Sequence, residues 1–121
     1  MSFLKVTMIG NIGKIELKYL PSGVAITNMN VASNRTYTKD DQKVKETTWV
    51  RVSVFGKQAE ACAKYLEVGS QVFVEGRLNP DDDGGPRLWE SNGKQGASYE
   101  VTAERVVFLS GAVQTAQEEQ F

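Results

Sequence analysis

The run Thr47-Thr48-Trp49-Val50-Arg51-Val52-Ser53-Val54-Phe55-Gly56 alternates with a period of two. Thr48, Val50, Val52 and Val54 fall on one side; Thr47, Trp49, Arg51, Ser53 and Phe55 fall on the other. Successive strand side chains point to opposite faces, so this is a strand with a β-branched face for a core. The second face carries two large rings with a guanidinium between them, where a merely soluble strand would show Thr, Lys and Glu. Rings interleaved with a cation suit a surface that stacks unpaired bases and holds their phosphates. Packing of Trp49 and Phe55 under a loop or against another subunit is the alternative, and this strand alone leaves both open.

The chain has 121 residues, enough for one domain that buries a core without staples. Hydrophobic residues make up 40% and charged residues 24%, an ordinary globular mix. No apolar run approaches the ~20 residues of a membrane span. The start, Met1-Ser2-Phe3-Leu4-Lys5, lacks the apolar segment of a signal peptide, and we expect a cytoplasmic protein with no membrane contact. A single Cys62 fits a reducing compartment, and the absence of His removes the commonest general base and the usual zinc sites. No metal, cofactor or enzymatic activity is expected: there is no nucleophile–base pair and no phosphate loop. The net charge of -1 hides an asymmetry: through Asn79 there are 11 basic against 7 acidic residues, and from Pro80 onward 3 against 8.

Outward from the central strand, the chain reads as short strands divided by turns. Phe3–Ile9 alternates with both faces largely apolar, which places this strand at an expected isologous subunit contact. Gly10-Asn11-Ile12-Gly13 breaks the pattern as a bend or bulge. Lys14–Leu20 resumes it, and Pro21-Ser22-Gly23 is a turn. Val24–Ser33 is a strand, and Asn34–Glu46 reads as a polar hairpin loop. Lys57–Leu66 is helical, with Ala59, Cys62, Ala63 and Leu66 on one face and Gly69 beyond its end. Cys62 on that face reads as a small core residue. Ser70–Leu78 and Tyr99–Leu109 are strands. The glycine-rich segment Asn79–Gly96 between them is a protruding hairpin turned at Ser91-Asn92-Gly93-Lys94. The expected fold is all-β: a five-stranded OB-fold barrel with one helix between strands 3 and 4, spanning 1–110, then a short disordered tail over 111–121.

In such a barrel, strands 2 and 3 and the two long loops surround one groove. Tyr37 lies in one loop, Trp89 in the other, and Trp49 and Phe55 on the central strand, giving four candidate stacking platforms. The basic residues near them are Lys18, Arg35, Lys39, Lys43, Arg51, Lys57, Arg77 and Arg87. They are candidate phosphate partners acting locally, since the whole molecule exerts no long-range attraction. A solvated surface charge is the alternative for any one of them.

Four segments resemble the bacterial single-stranded DNA-binding protein family: Val6–Gly13, Lys18–Gly23, Thr48–Lys57 and Tyr65–Leu78. They keep their order and cover most of residues 3 to 109. The resemblance implies an OB-fold homotetramer, or a dimer of two-domain chains, that wraps single-stranded DNA in replication, recombination and repair, near the nucleoid. It implies stacking by Trp49, Phe55 and Trp89, with Tyr37 where the family often has another aromatic. It also implies phosphate contacts at Lys18, Arg51 and Lys57, and less directly at Lys39, Lys43 and Arg87. Two departures stand out. The family's long linker is almost missing, and Gln117-Glu118-Glu119-Gln120-Phe121 has acid and a final Phe but no Asp cluster. Glu118, Glu119 and Phe121 are a candidate tip for replication and repair proteins, or a frayed end. Asp81-Asp82-Asp83 beside a DNA groove would repel phosphate, and it lacks the ligand spacing of a calcium loop. A second reading, an OB-fold primosomal replication-restart dimer working through protein contacts, is favoured by the short tail and opposed by the two Trp. The fold alone also leaves oligosaccharide or structured RNA open as a ligand.

Overall fold

A computed structural model describes residues 1–109. The elements run β1 (Val6–Tyr19), β2 (Ala25–Lys39), β3 (Gln42–Phe55), α1 (Lys57–Tyr65), β4 (Gln71–Leu78), β5 (Arg87–Ser91) and β6 (Lys94–Phe108). Adjacent strands follow the order β3-β2-β1-β4-β6-β5, and β6 also pairs in parallel with β3. That last pairing, Val50–Ser53 against Tyr99–Thr102, closes five strands into a ring and leaves β5 attached to β6 alone. The expected OB barrel with its helix between β3 and β4 is the architecture found. Among the described residues no helix is long and apolar enough to cross a membrane.

The period-two reading of the central strand holds. Val52 and Val54 are fully buried and Val50 nearly so, and they meet Met29, Val31, Val72, Val74 and Val101 from the neighbouring strands. The helix closes the barrel with Ala59, Cys62 and the capping Leu66. Its one deep polar contact is satisfied: the buried Thr27 hydroxyl donates to the Ala59 carbonyl at 2.7 Å. Gln58 ties the helix to β6, where its Oε1 accepts from the Val106 N–H at 2.8 Å. Gly56 takes φ 74°, a left-handed value that suits glycine, and lets the chain leave β3 directly into the helix.

The segments expected as two strands, Phe3–Ile9 and Lys14–Leu20, are one long β1 that begins only at Val6, with Phe3, Leu4 and Lys5 lying before it. Its register against β2 slips between Ile12 and Lys14, a bulge at Gly13. This bend lets β1 pair with β4 through its first half and with β2 through its second.

The expectation of a loop over Asn34–Glu46 is corrected. The β2–β3 ladder continues without a slip out to Lys39 opposite Gln42. Only Asp40 and Asp41 turn, at φ 51° and 64°. Two successive positive φ values define the turn whose twist matches a β-ribbon, and Asp tolerates them because its short carboxylate adds little bulk. Thr36, Tyr37, Thr38 and Val44 are strand formers, so the charges nearby do not interrupt the ladder. The second hairpin, β5–β6, turns the same way at Asn92 and Gly93, with φ 52° and 77°.

Candidate nucleic-acid interface

The outward face of β1, β2 and β3 is laid out in rows by the strand registers. Trp49 stands opposite Ala32 at one end. Next come Lys14, Asn30 and Arg51, then Glu16, Asn28 and Ser53, then Lys18, Ile26 and Phe55. A six-residue step along β3 separates Trp49 from Phe55, about 20 Å at strand rise. Both rings are open, at 53% and 43% exposure. The trough between them is polar, and the Ser53 hydroxyl donates to Asn28 Oδ1 at 2.9 Å across its floor. Among the described residues, Arg51 and Lys14 have no ion-pair partner, whereas Lys18 lies 3.8 Å from Glu16 beside Phe55. Lys14 is a cation that sequence reasoning missed; only the cross-strand register puts it level with Arg51.

Each tryptophan rests on a glycine. A Cβ built on Gly13 would stand 2.6 Å from the Trp49 ring, so the bulge in β1 makes room for the indole. On the second hairpin Trp89 is directly opposite Gly96, and a Cβ there would run into the Trp89 ring. Cross-strand partners on one face stand side by side, and an aromatic laid over glycine buries one ring face while its other face stays free. Trp89 is 48% exposed and shares with Trp49 a cleft of about 380 Å³, which Arg51 and Asn30 also line. The structure thus brings Trp49, Trp89 and Arg51 together, with Phe55 and Lys18 farther along the same face.

Other candidates fall elsewhere. Tyr37 belongs to the row of Arg35, Lys39, Val44 and Glu46 on the opposite side of the β2–β3 ribbon from Trp49. It is half-buried, with the Arg35 guanidinium 4.7 Å from its ring centroid, and Arg35 also approaches Glu46 at 3.9 Å. Lys43 shares the Trp49 side of this ribbon; Lys39 does not. Lys57 is exposed just past Phe55, at the start of α1. Arg77 lines a separate cleft with Phe3, Leu4, Lys5 and Glu104. Arg87 is half-buried on β5, donating from Nη2 to Asn79 Oδ1 at 3.5 Å. Glu118, Glu119 and Phe121 lie outside the described residues.

The Asp81–Gly85 turn folds on itself. Asp81 Oδ1 accepts from the N–H groups of Asp83 and Gly85, both at 2.9 Å. Among the described residues no three His, Cys, Asp or Glu side chains group to hold a metal. Cys62 is buried against the core, and burial pushes its thiol up to about 11.

A model described as the single-strand binding protein family matches residues 3–109. Single-stranded DNA-binding proteins of Helicobacter hepaticus and Wolinella succinogenes are each 36% identical over 108 residues, covering 87% of this chain and 60% and 63% of theirs. The chain therefore spans less than two thirds of the length of these relatives. A deletion mutant of the single-stranded DNA binding protein from Thermus aquaticus superimposes with a TM-score of 0.69 at 32% identity, over 92% of this chain and 52% of that one. The small single-stranded DNA-binding protein from Streptomyces coelicolor has a TM-score of 0.73 at 20% identity, over 89% and 95%, a likeness of fold.

Proposed function

Because the chain belongs to the single-strand binding protein family, we propose that it is a non-enzymatic coat for single-stranded DNA that binds without reading sequence. One observation carries this: two exposed indoles, each seated on a glycine, line one cleft beside Arg51, which has no ion-pair partner among the described residues. Every base has a π-face, so stacking on Trp49, Trp89 and Phe55 is blind to sequence, at about 1–3 kcal/mol per base. Arg51, Lys14, Lys18 and Lys57 supply the phosphate contacts; Lys43 serves as an outer one. Replication, recombination and repair are the settings in which such a coat acts, at the nucleoid, and Glu118, Glu119 and Phe121 are its proposed contact for other proteins.

A homotetramer is the proposed assembly. Phe3, Leu4 and Ile9 are all exposed on the single chain, while Val6 and Met8 face the core. Apolar side chains displayed at Ile9 of β1 and on the segment that leads into it suit self-complementary pairing with a second copy. Mass in solution tests this, with four chains supporting the coat and two the replication-restart reading.

Titration with oligothymidine tests the function. Tryptophan emission should quench, and log affinity should fall with log salt at about -0.7 per phosphate neutralised. Arg51→Ala should flatten that slope by about 0.7. Absence of quenching, or tighter binding to duplex, would sink the reading.

A further inference from the structure

We propose that Tyr99 and Arg87 form a further nucleotide subsite that continues the groove past the two tryptophans. A base would stack on the Tyr99 ring and its phosphate would pair with the Arg87 guanidinium. This rests on the single-stranded DNA reading.

Tyr99 stands opposite Val50 in the parallel ladder, two residues before the buried Val101. By alternation it shares the inward side of Val101, where a ring would be expected in the core. It is instead 62% exposed, at the end of the β3–β6 ladder. Its hydroxyl has no hydrogen-bond partner among the described residues. Tyr99 lines the cleft of Trp49 and Trp89 and also a second cleft of about 250 Å³ that holds Arg87 and Asn79. Tyr99 and the neighbouring Ser98 are the residues common to both, so a strand leaving the tryptophans meets them next.

Among the described residues, Arg87 is the only cation lining the second cleft. Its Nε is buried without a partner, and its Nη2 bond to Asn79 is long. Among the described residues the guanidinium has no ion-pair partner, so its Nη groups are available to a phosphate oxygen. Glu100 is the one anion on that cleft, and it draws the Ser98 hydroxyl at 3.4 Å rather than Arg87. The Asp81 carboxylate, in the turn beside the cleft, accepts the turn's own N–H groups at Oδ1.

The test uses the full chain and oligothymidines of increasing length. Tyr99→Ala should cost about 10-fold in affinity for long oligomers and little for ones that span only the tryptophan cleft. Tyr99→Phe should bind as the unaltered chain does, because the ring and not the hydroxyl is used. Arg87→Gln should flatten the salt slope by about 0.7 for long oligomers alone. Ultraviolet cross-linking of the unaltered chain to oligothymidine should attach thymine to the peptide holding Tyr99. A Tyr99→Ala protein of unchanged melting temperature that binds every length normally overturns the subsite, as does a cross-link map without Tyr99. If Tyr99→Ala fails to fold, the cross-link map decides. Should the unaltered chain bind no oligothymidine at all, the DNA reading falls first and takes the subsite with it.

Discussion

The β2–β3 and β5–β6 hairpins leave the barrel through the same kind of two-residue turn, yet their aromatics meet different surroundings. On the first, Tyr37 lies under the Arg35 guanidinium, and Arg35 leans toward Glu46. On the second, Trp89 lies over Gly96 and is 48% exposed. The first arm has set its ring and its cation against each other; on the proposed reading the second keeps its ring for a base. On the proposed reading, an aromatic in a long arm is therefore not enough to mark a stacking platform. What stands across the strand decides whether a ring face is left over.

The largest test of that contrast is truncation. Trp49→Ala and Trp89→Ala should each weaken oligothymidine binding by about 1–3 kcal/mol, while Tyr37→Ala should cost well under about 1 kcal/mol. Equal losses in an anisotropy titration would erase the distinction between the arms.

The next test leaves the ring in place and removes its seat. Gly96→Val drives a side chain into the Trp89 indole, so binding should fall about tenfold. Thermal melting should move little, because β5–β6 is a ribbon outside the closed ring. Unchanged affinity would mean that the glycine seat has no part in presenting the indole.

Much of the architecture was readable from residues, and the reason is physical. Alternation on β3 fixed which side of Trp49, Arg51 and Phe55 faces out, because strand period leaves no third choice. The helix and its place followed from three- and four-residue spacing around Cys62. The long β2–β3 ladder was not readable, because Asp40-Asp41 lacks the glycine that usually announces such a turn. Tyr99 was missed for a different cause. Alternation puts it inward, and sequence does not say where a barrel stops. Lys14 and the two glycine seats depend on which residues face one another across strands, which the linear order does not display.

Smaller effects concern the arm that carries Tyr37. Replacing Asp40-Asp41 with Asn-Gly suits both positive φ values better and should stabilise the fold by about 1 kcal/mol. In a domain of this size that is a rise of roughly 4 °C in melting temperature, with DNA binding unchanged. If binding shifts as well, this arm is less separate from the groove than its face suggests.

The smallest effect lies in the core beneath both arms. The Cys62 thiol is raised from 9.0 to about 11 by burial, above its unfolded value. Its contribution to stability is present below the unfolded pKa and is lost as pH rises through about 11. A disulfide exchange reagent at pH 8 should label Cys62 far more slowly in the folded chain than in urea. Fast labelling would show that α1 detaches from the barrel.

The parallel ladder between β3 and β6 has a consequence for how the chain matures. Its partners, Val50–Ser53 and Tyr99–Thr102, come from distant parts of the sequence. Such contacts are slow to form, since chain entropy is lost before any contact repays it. The cleft of Trp49 and Trp89 needs both segments, so on the proposed reading a nascent chain grips nucleic acid only after β6 has emerged and paired with β3. Competence to bind thus doubles as a readout of completed folding.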